Sequence, residues 1–405
     1  MNIETKIKFA AYLKRVAFHL KRFLYSRKVI GKLPRVDIAV FDTHTADHLC
    51  KVLEGYSVYT IDIRGESYHL TILLKSILKY FLLRGKKQLL ELYWSTFIND
   101  LGARICITHQ DANAIFFDLA RESRGTRFIA LQQGLKNAAT IANYKKICGD
   151  YFAYGSAYAD KLRNGEAKIY VSGSVKSNNS IFELGKKTRL SYVSSYVGHP
   201  LELKILGNYN YAEFSYPSIY SSLRFVEEFC RRNIIDLVIV SKSFRERTQT
   251  EREHVLQNEI TTYRNVIGRD VKIIAGDSYK VAGESRLIVC DQSALGYELL
   301  GRGCKVVFLN FISFFLHSPS HGFGWPLELP SQGPFWSNIP DPVFVGQMLE
   351  KVWHMSPDEW NQVTRDYKEK LMFYDPENSI LLGHLRELLG KSKNRPALAG
   401  GSGSK

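Results

Sequence analysis

Eleven short apolar runs, each closed by polar residues or glycine, constrain this chain more than any other feature. PRVDIAVFDTH (34–44), SVYTIDIRG (57–65), ARICITHQD (103–111), TRFIALQQG (126–134), GDYFAYG (149–155) and AKIYVSGSV (167–175) read as strands in the first half. RLSYVSSYVG (189–198), DLVIVSKS (236–243), VKIIAG (271–276), RLIVCDQS (286–293) and CKVVFLN (304–310) restart the pattern in the second. Helical stretches lie between many of them, notably 69–98, 112–125, 218–233 and 294–303. Fully apolar strands that alternate with helices imply parallel sheets covered on both faces. The expected fold is therefore α/β, with two doubly wound, Rossmann-like domains. A polar, turn-rich stretch (176–188) marks the boundary, and 405 residues suffice for two cores. The expected division is a basic amphipathic helix over 1–33, an acceptor domain over 34–185, a nucleotide-sugar domain over 186–375, and a terminal helix with a Gly/Ser-rich disordered tail over 376–405.

Composition excludes several classes. With 45% apolar and 23% charged residues the chain is globular. No apolar run reaches the ~18 residues of a membrane span, and no clean signal core follows Met1. The six cysteines form no CxxC, which fits a reduced, cytoplasmic protein. The net charge is +15, but residues 1–36 hold ten Lys or Arg and one acid. Basicity confined to one end argues against a nucleic-acid surface. There Phe9, Leu13, Val16, Leu20 and Phe23 recur at helical spacing, with Lys8, Lys14, Arg15, Lys21 and Arg22 mostly off the stripe. Such a helix suits an anionic membrane surface, or equally packs its stripe on the domain.

The sharpest local signal is strand, turn DQS, then helix ALGYELLGRG. The N–H groups of Ala294 and Leu295 and the Ser293 hydroxyl suit a phosphate, and Glu298 suits a ribose. The plainer alternatives are an N-cap serine and a solvated glutamate.

ITHQDANAIFF, FIALQQGLK, DYFAYG, VSGSVKSNN, SALGYELLGRGCKV, FGWP, GPFW, EW and LMFYDPEN, in that order from about Ile105 to Asn378, resemble the bacterial surface carbohydrate biosynthesis family. That family has the two-domain glycosyltransferase fold (GT-B) and is more distantly similar to capsule Kdo transferases and bacterial sialyltransferases. The resemblance implies a metal-independent transferase without cofactor. Its donor would be a CMP-activated ulosonic acid, Kdo or a nonulosonic acid such as pseudaminic acid. Its acceptor would be a lipid-linked or oligosaccharide glycan, at the inner face of the bacterial inner membrane. Relatives carry an acid where this chain has Gln132-Gln133-Gly134. Asp111 is the nearest strand-end carboxylate and the expected base or nucleophile, with His109 and Gln133 beside it; its plainer role is capping the next helix. Asp42, Glu122 and Glu166 are the reserve acids. Relatives also hold the nucleotide phosphate with a His-Pro pair. Here His199-Pro200 follows the first strand of the second domain, and Lys242, Ser243 and Arg245 occupy the later loop. Ser194 and Gly134 complete the expected donor set. Trp325 and Trp336 are expected to pack against the C-terminal helices. Two alternatives stay open: a transferase or 2-epimerase using a UDP- or GDP-sugar on the same fold, and a non-catalytic, membrane-peripheral glycan-binding module.

Overall fold

The computed structural model describes residues 23–390, except 45, 65–66, 85–86, 144–147, 164, 182–187, 197–210 and 242–248. Its strands in chain order are β1 (Arg27–Val29), β2 (Ile38–Phe41), β3 (Val58–Ile61), β4 (Ser67–His69), β5 (Ile105–Thr108), β6 (Arg127–Leu131), β7 (Asp150–Ala153) and β8 (Lys168–Val171). The second half adds β9 (Leu190–Val193), β10 (Leu237–Val240), β11 (Lys272–Ile274), β12 (Leu287–Cys290), β13 (Val306–Leu309), β14 (Gln332–Gly333) and β15 (Trp336–Ser337).

Two main sheets result. The first is parallel, in the order β3-β2-β5-β6-β7-β8, and the second runs β11-β10-β9-β12-β13-β15-β14, parallel except for its last pair. IAVF, ICIT, LSYV, LIVC and VVFL are buried throughout, as strands covered on both faces must be. The chain reverses its direction of travel across the first sheet between β2 and β5, and across the second between β9 and β12. At these switch points the following loops part and leave a crevice beyond the carboxyl ends.

The expected α/β architecture with two Rossmann-like halves and C-terminal helices is the observed one. The expected boundary near 185 falls within 182–187, and residues 1–22 of the expected N-terminal helix are likewise outside the described residues. That helix does not continue to 33. Arg27–Val29 is instead a strand paired with β4, so Ser26 ends the helical turn at 23–25.

The C-terminal segment ties the halves together. Gly155, Gly173 and Gly301 lie so close to the carbonyls of Lys370, Phe373 and Met372 that a Cβ on any of them would collide with backbone oxygen. Phe373 N donates to Tyr154 O at 2.8 Å, and Asp375 N donates to Asn178 Oδ1 at 3.1 Å. Arg302 lies 4.9 Å over the Tyr374 ring. The Ser379–Leu389 helix then returns to the first half, where Leu381, Leu385 and Leu389 pack with Ile38, Val40 and Ile107. Arg104 Nη1 closes it by donating to Leu389 O at 2.9 Å.

Candidate active site

The polar residues that follow β5 and β6 form the first wall. After β5, Thr108 turns its hydroxyl back to Phe41 O at 2.8 Å, which joins the ends of β5 and β2. Asp111 comes next. It does not cap the following helix: Asn113 does, accepting from Phe116 N at 3.4 Å. Instead Lys136 Nζ donates to Asp111 Oδ1 at 2.8 Å and the Tyr151 hydroxyl donates to Oδ2 at 2.7 Å. The Asp111 side chain has no exposed surface, and burial outweighs Lys136 in moving its carboxyl above the ordinary range. The carboxylate thus reaches the crevice through Lys136, whose ammonium also bonds Gln133 O.

After β6, Gln132 takes a scaffold role. Its Oε1 accepts from Tyr154 N at 2.9 Å, and its Nε2 donates to Gly134 O at 3.1 Å. Gly134 adopts φ +65°, which glycine reaches without strain, and its N–H donates to the Tyr154 hydroxyl at 2.9 Å. Gln133 is half-buried. His109 Nδ1 is buried without a partner, and burial with nearby His48, Lys136 and Lys176 pushes its pKa down to about 4, so the ring is neutral near pH 7.

The second wall follows β9 and β12. Ser194 is buried, bonded to the Tyr263 hydroxyl at 2.7 Å and accepting from Tyr196 N at 3.1 Å. Ser293 stands at the N-cap of the Ala294–Gly301 helix, yet its hydroxyl makes no capping bond; Ala294 and Leu295 behind it are half-buried. Glu298 is not solvated. Its Oε1 accepts from Ser174 Oγ and its Oε2 from the Tyr279 hydroxyl, each at 2.5 Å. Both oxygens are therefore engaged, and the residue links the two halves. His199 and Lys242, Ser243 and Arg245 lie outside the described residues.

His321 joins the walls. Its Nε2 lies 3.4 Å from Asn137 Nδ2 in the loop after β6, while its backbone oxygen accepts from Gln292 in the loop after β12. Lys161 lies 5.9 Å over Trp325, another contact between the halves, whereas Trp336 is buried and stacks on Phe323.

The structure adds residues that the sequence reading had not assigned. Lys136 and Tyr151 hold Asp111, Lys176 lies 5.0 Å over the Tyr279 ring, and Asp291 closes β12. Asp291 accepts from Ser218 Oγ and Gln292 N, both at 2.9 Å, and burial pushes its pKa up to about 7. The polar turn DQS after an apolar run was its sequence signal. Among the reserve acids, Asp42 is buried against Arg64 at 3.2 Å beside β2. Glu122 and Glu166 pair with Lys87 and Arg121 before β6 and β8, at the amino ends of those strands. Among the described residues no group of three or more His, Cys, Asp or Glu converges as a metal set.

Two Rossmann-like halves with their switch-point loops in contact define the GT-B class of fold. The chain belongs to the family described as "putative O-antigen biosynthesis protein", whose model matches residues 139–389. No curated protein matches it. Among solved structures, a "putative UDP-N-acetylglucosamine 2-epimerase" from Listeria monocytogenes is similar at 11% identity, with TM-score 0.50, over 89% of this chain and 98% of that one. A glycosyltransferase from Rickettsia africae is similar at 11% identity and TM-score 0.48, over 88% of this chain and 100% of that one. At these identities the likeness is one of fold.

Proposed function

We propose that this chain is a glycosyltransferase that moves an ulosonic acid, Kdo or a nonulosonic acid, from its CMP-activated form to a growing surface polysaccharide. The observation that carries the reading is the charge of the crevice. Lys136 and Lys176 lie near the neutral His109 at the end of the first sheet. The uncapped Ser293 opens a helix N-terminus at the end of the second. A CMP-ulosonate brings one phosphate and one carboxylate, so two anionic groups meet two anion-favouring places. Membership of an O-antigen biosynthesis family supports the glycan acceptor.

In this reading Ser293 and the N–H groups of Ala294 and Leu295 hold the phosphate. Lys136 and Lys176 hold the carboxylate or the developing charge on the leaving CMP. Asp111 is a positioning residue: it keeps the Lys136 ammonium at the crevice. His109, neutral and with Nδ1 unpartnered, receives a hydrogen bond from a sugar hydroxyl. Glu298 keeps the halves in register, which places the ribose on neighbouring groups. The transfer is proposed to need neither metal nor cofactor, so EDTA leaves the rate unchanged. The enzyme would work at the inner face of the bacterial inner membrane, with the basic N-terminal segment against anionic lipid.

A thermal-shift panel of CMP, UDP and GDP tests the donor. A nucleotide at ~100 times its Kd stabilises the fold by ~2.7 kcal/mol. CMP alone should do so, and Ser293→Ala should weaken it by ~1–2 kcal/mol. Stabilisation by UDP or GDP instead would move the chain to a nucleoside-diphosphate sugar. Stabilisation by none of the three would favour a glycan-binding module.

A further inference from the structure

The Leu70–Leu82 helix is apolar on two faces. Ile72 and Ser76 are buried beside the Leu89–Leu101 helix, but Leu74, Leu78, Phe81 and Leu82 are 62–73% exposed. Positions 74, 78, 81 and 82 lie on one side of a helix. A water-facing helix face normally carries polar residues, so this one calls for a partner.

The exposure is concentrated. Of fourteen exposed large apolar side chains among the described residues, ten fall in 23–36 or 67–90. These two stretches meet: β1 pairs with β4, and Phe23 packs on Tyr68 at 5.3 Å. The charge follows the same map. The described residues of 23–36 and 67–90 hold eight Lys or Arg and no acid. Lys75 and Lys87 are paired with Asp100 and Glu122, which lie outside those segments.

We infer that this face, centred on Leu74, Leu78, Phe81 and Leu82, docks on an anionic phospholipid bilayer. Its apolar side chains enter the acyl boundary, and the surrounding Lys and Arg meet the headgroups. A protein groove would require acids to match the charge, whereas a bilayer of anionic lipid supplies both an apolar layer and a sheet of negative charge. The inference stands on exposure and charge, and it holds whichever nucleotide the crevice takes.

Co-sedimentation with vesicles of phosphatidylcholine, with and without phosphatidylglycerol, tests it on the full chain. The protein should bind only the anionic vesicles, and less at high salt. Leu78→Ser with Phe81→Ser should cut that binding by about tenfold or more while leaving the melting temperature unchanged, since both side chains are exposed. Equal binding by the double variant, or equal binding to neutral vesicles, would overturn the inference. So would a dimer in lipid-free buffer that the same two substitutions dissociate, because the face would then be an interface between copies. The vesicles contain neither nucleotide nor glycan, so failure of the donor assignment leaves the result untouched.

Discussion

Asp111 shows how a residue acts through its neighbours. A buried carboxylate that loses its charge leaves a buried ammonium without its partner, and the cost falls on whatever that ammonium does. Asp111→Asn is therefore expected to lower transfer by ~100-fold, the size of losing one electrostatic stabiliser of the transition state, with CMP binding retained. Lys136→Met should do the same, and the double variant should be no worse than either single one, because the pair acts as a unit. Additive losses, or near-normal transfer by Asp111→Asn, would remove the pair from the mechanism. Asp291 makes a separate prediction about pH. Its carboxyl is pushed up to about 7 by burial, so the folded protein keeps a proton that the unfolded chain releases above about 4. Stability from this group accordingly falls as pH rises from about 4 to 7 and is level above that. His109, pushed down to about 4, slopes the other way: its stability is full above about 6.5 and lost as pH falls towards 4. Asp291→Asn should thus gain on the wild type between pH 4.5 and pH 8, by on the order of 3–4 kcal/mol at most, read from urea midpoints. An equal difference at both pH values would show that the acid is not enclosed as described. Asp111 was legible, as was the polar turn that holds Asp291 though not that acid's role, because each breaks an apolar run at a strand end. Their partners were not. Lys136 and Tyr151 lie 25 and 40 residues from Asp111 on other elements, and only sheet order brings them together.

At the scale of elements, the segment around 370–375 is where the two halves meet. Gly173 is at φ +71° with the Phe373 carbonyl against it. Gly173→Ala must meet both the backbone conformation and the collision, so a loss of at least ~2 kcal/mol is expected, seen as a drop in urea midpoint. Transfer should fall further than stability explains, because Ser174, next in sequence, holds Glu298 across the halves. A variant with wild-type midpoint and activity would show that the segment is not a fixed wedge. Eleven strands of the two main sheets were readable from their apolar runs, and the Ala294–Gly301 helix from its polar turn; the short β4, β14 and β15 were not. The close approach at Gly155, Gly173 and Gly301 was not, since a glycine in sequence does not say which backbone will pass it. Nor was β1: Arg27–Val29 continues the basic, helix-like pattern before it and becomes a strand only because β4 lies alongside.

For the molecule as a whole, two doubly wound halves follow from pattern, the strand order that sets their switch points does not, and the family match agrees with the surface-carbohydrate resemblance read from the motif order. The donor is the part that pattern does not reach, because likeness at 11% identity is one of fold alone. Of the net charge of +15, residues 1–36 carry +9, and the crevice places Lys136 and Lys176 near the neutral His109. Among the described residues no helix is long and apolar enough to cross a membrane. The reaction proposed for the crevice is transfer of an ulosonic acid from CMP. The direct measurement is mass-spectrometric detection of product when the full chain is given a glycan acceptor with CMP-Kdo, a CMP-nonulosonate or a UDP-hexose. The expected result is an acceptor mass raised by one ulosonic acid, with CMP released and the yield unaffected by EDTA. A hexose added from the UDP donor, with nothing transferred from either CMP donor, would contradict it.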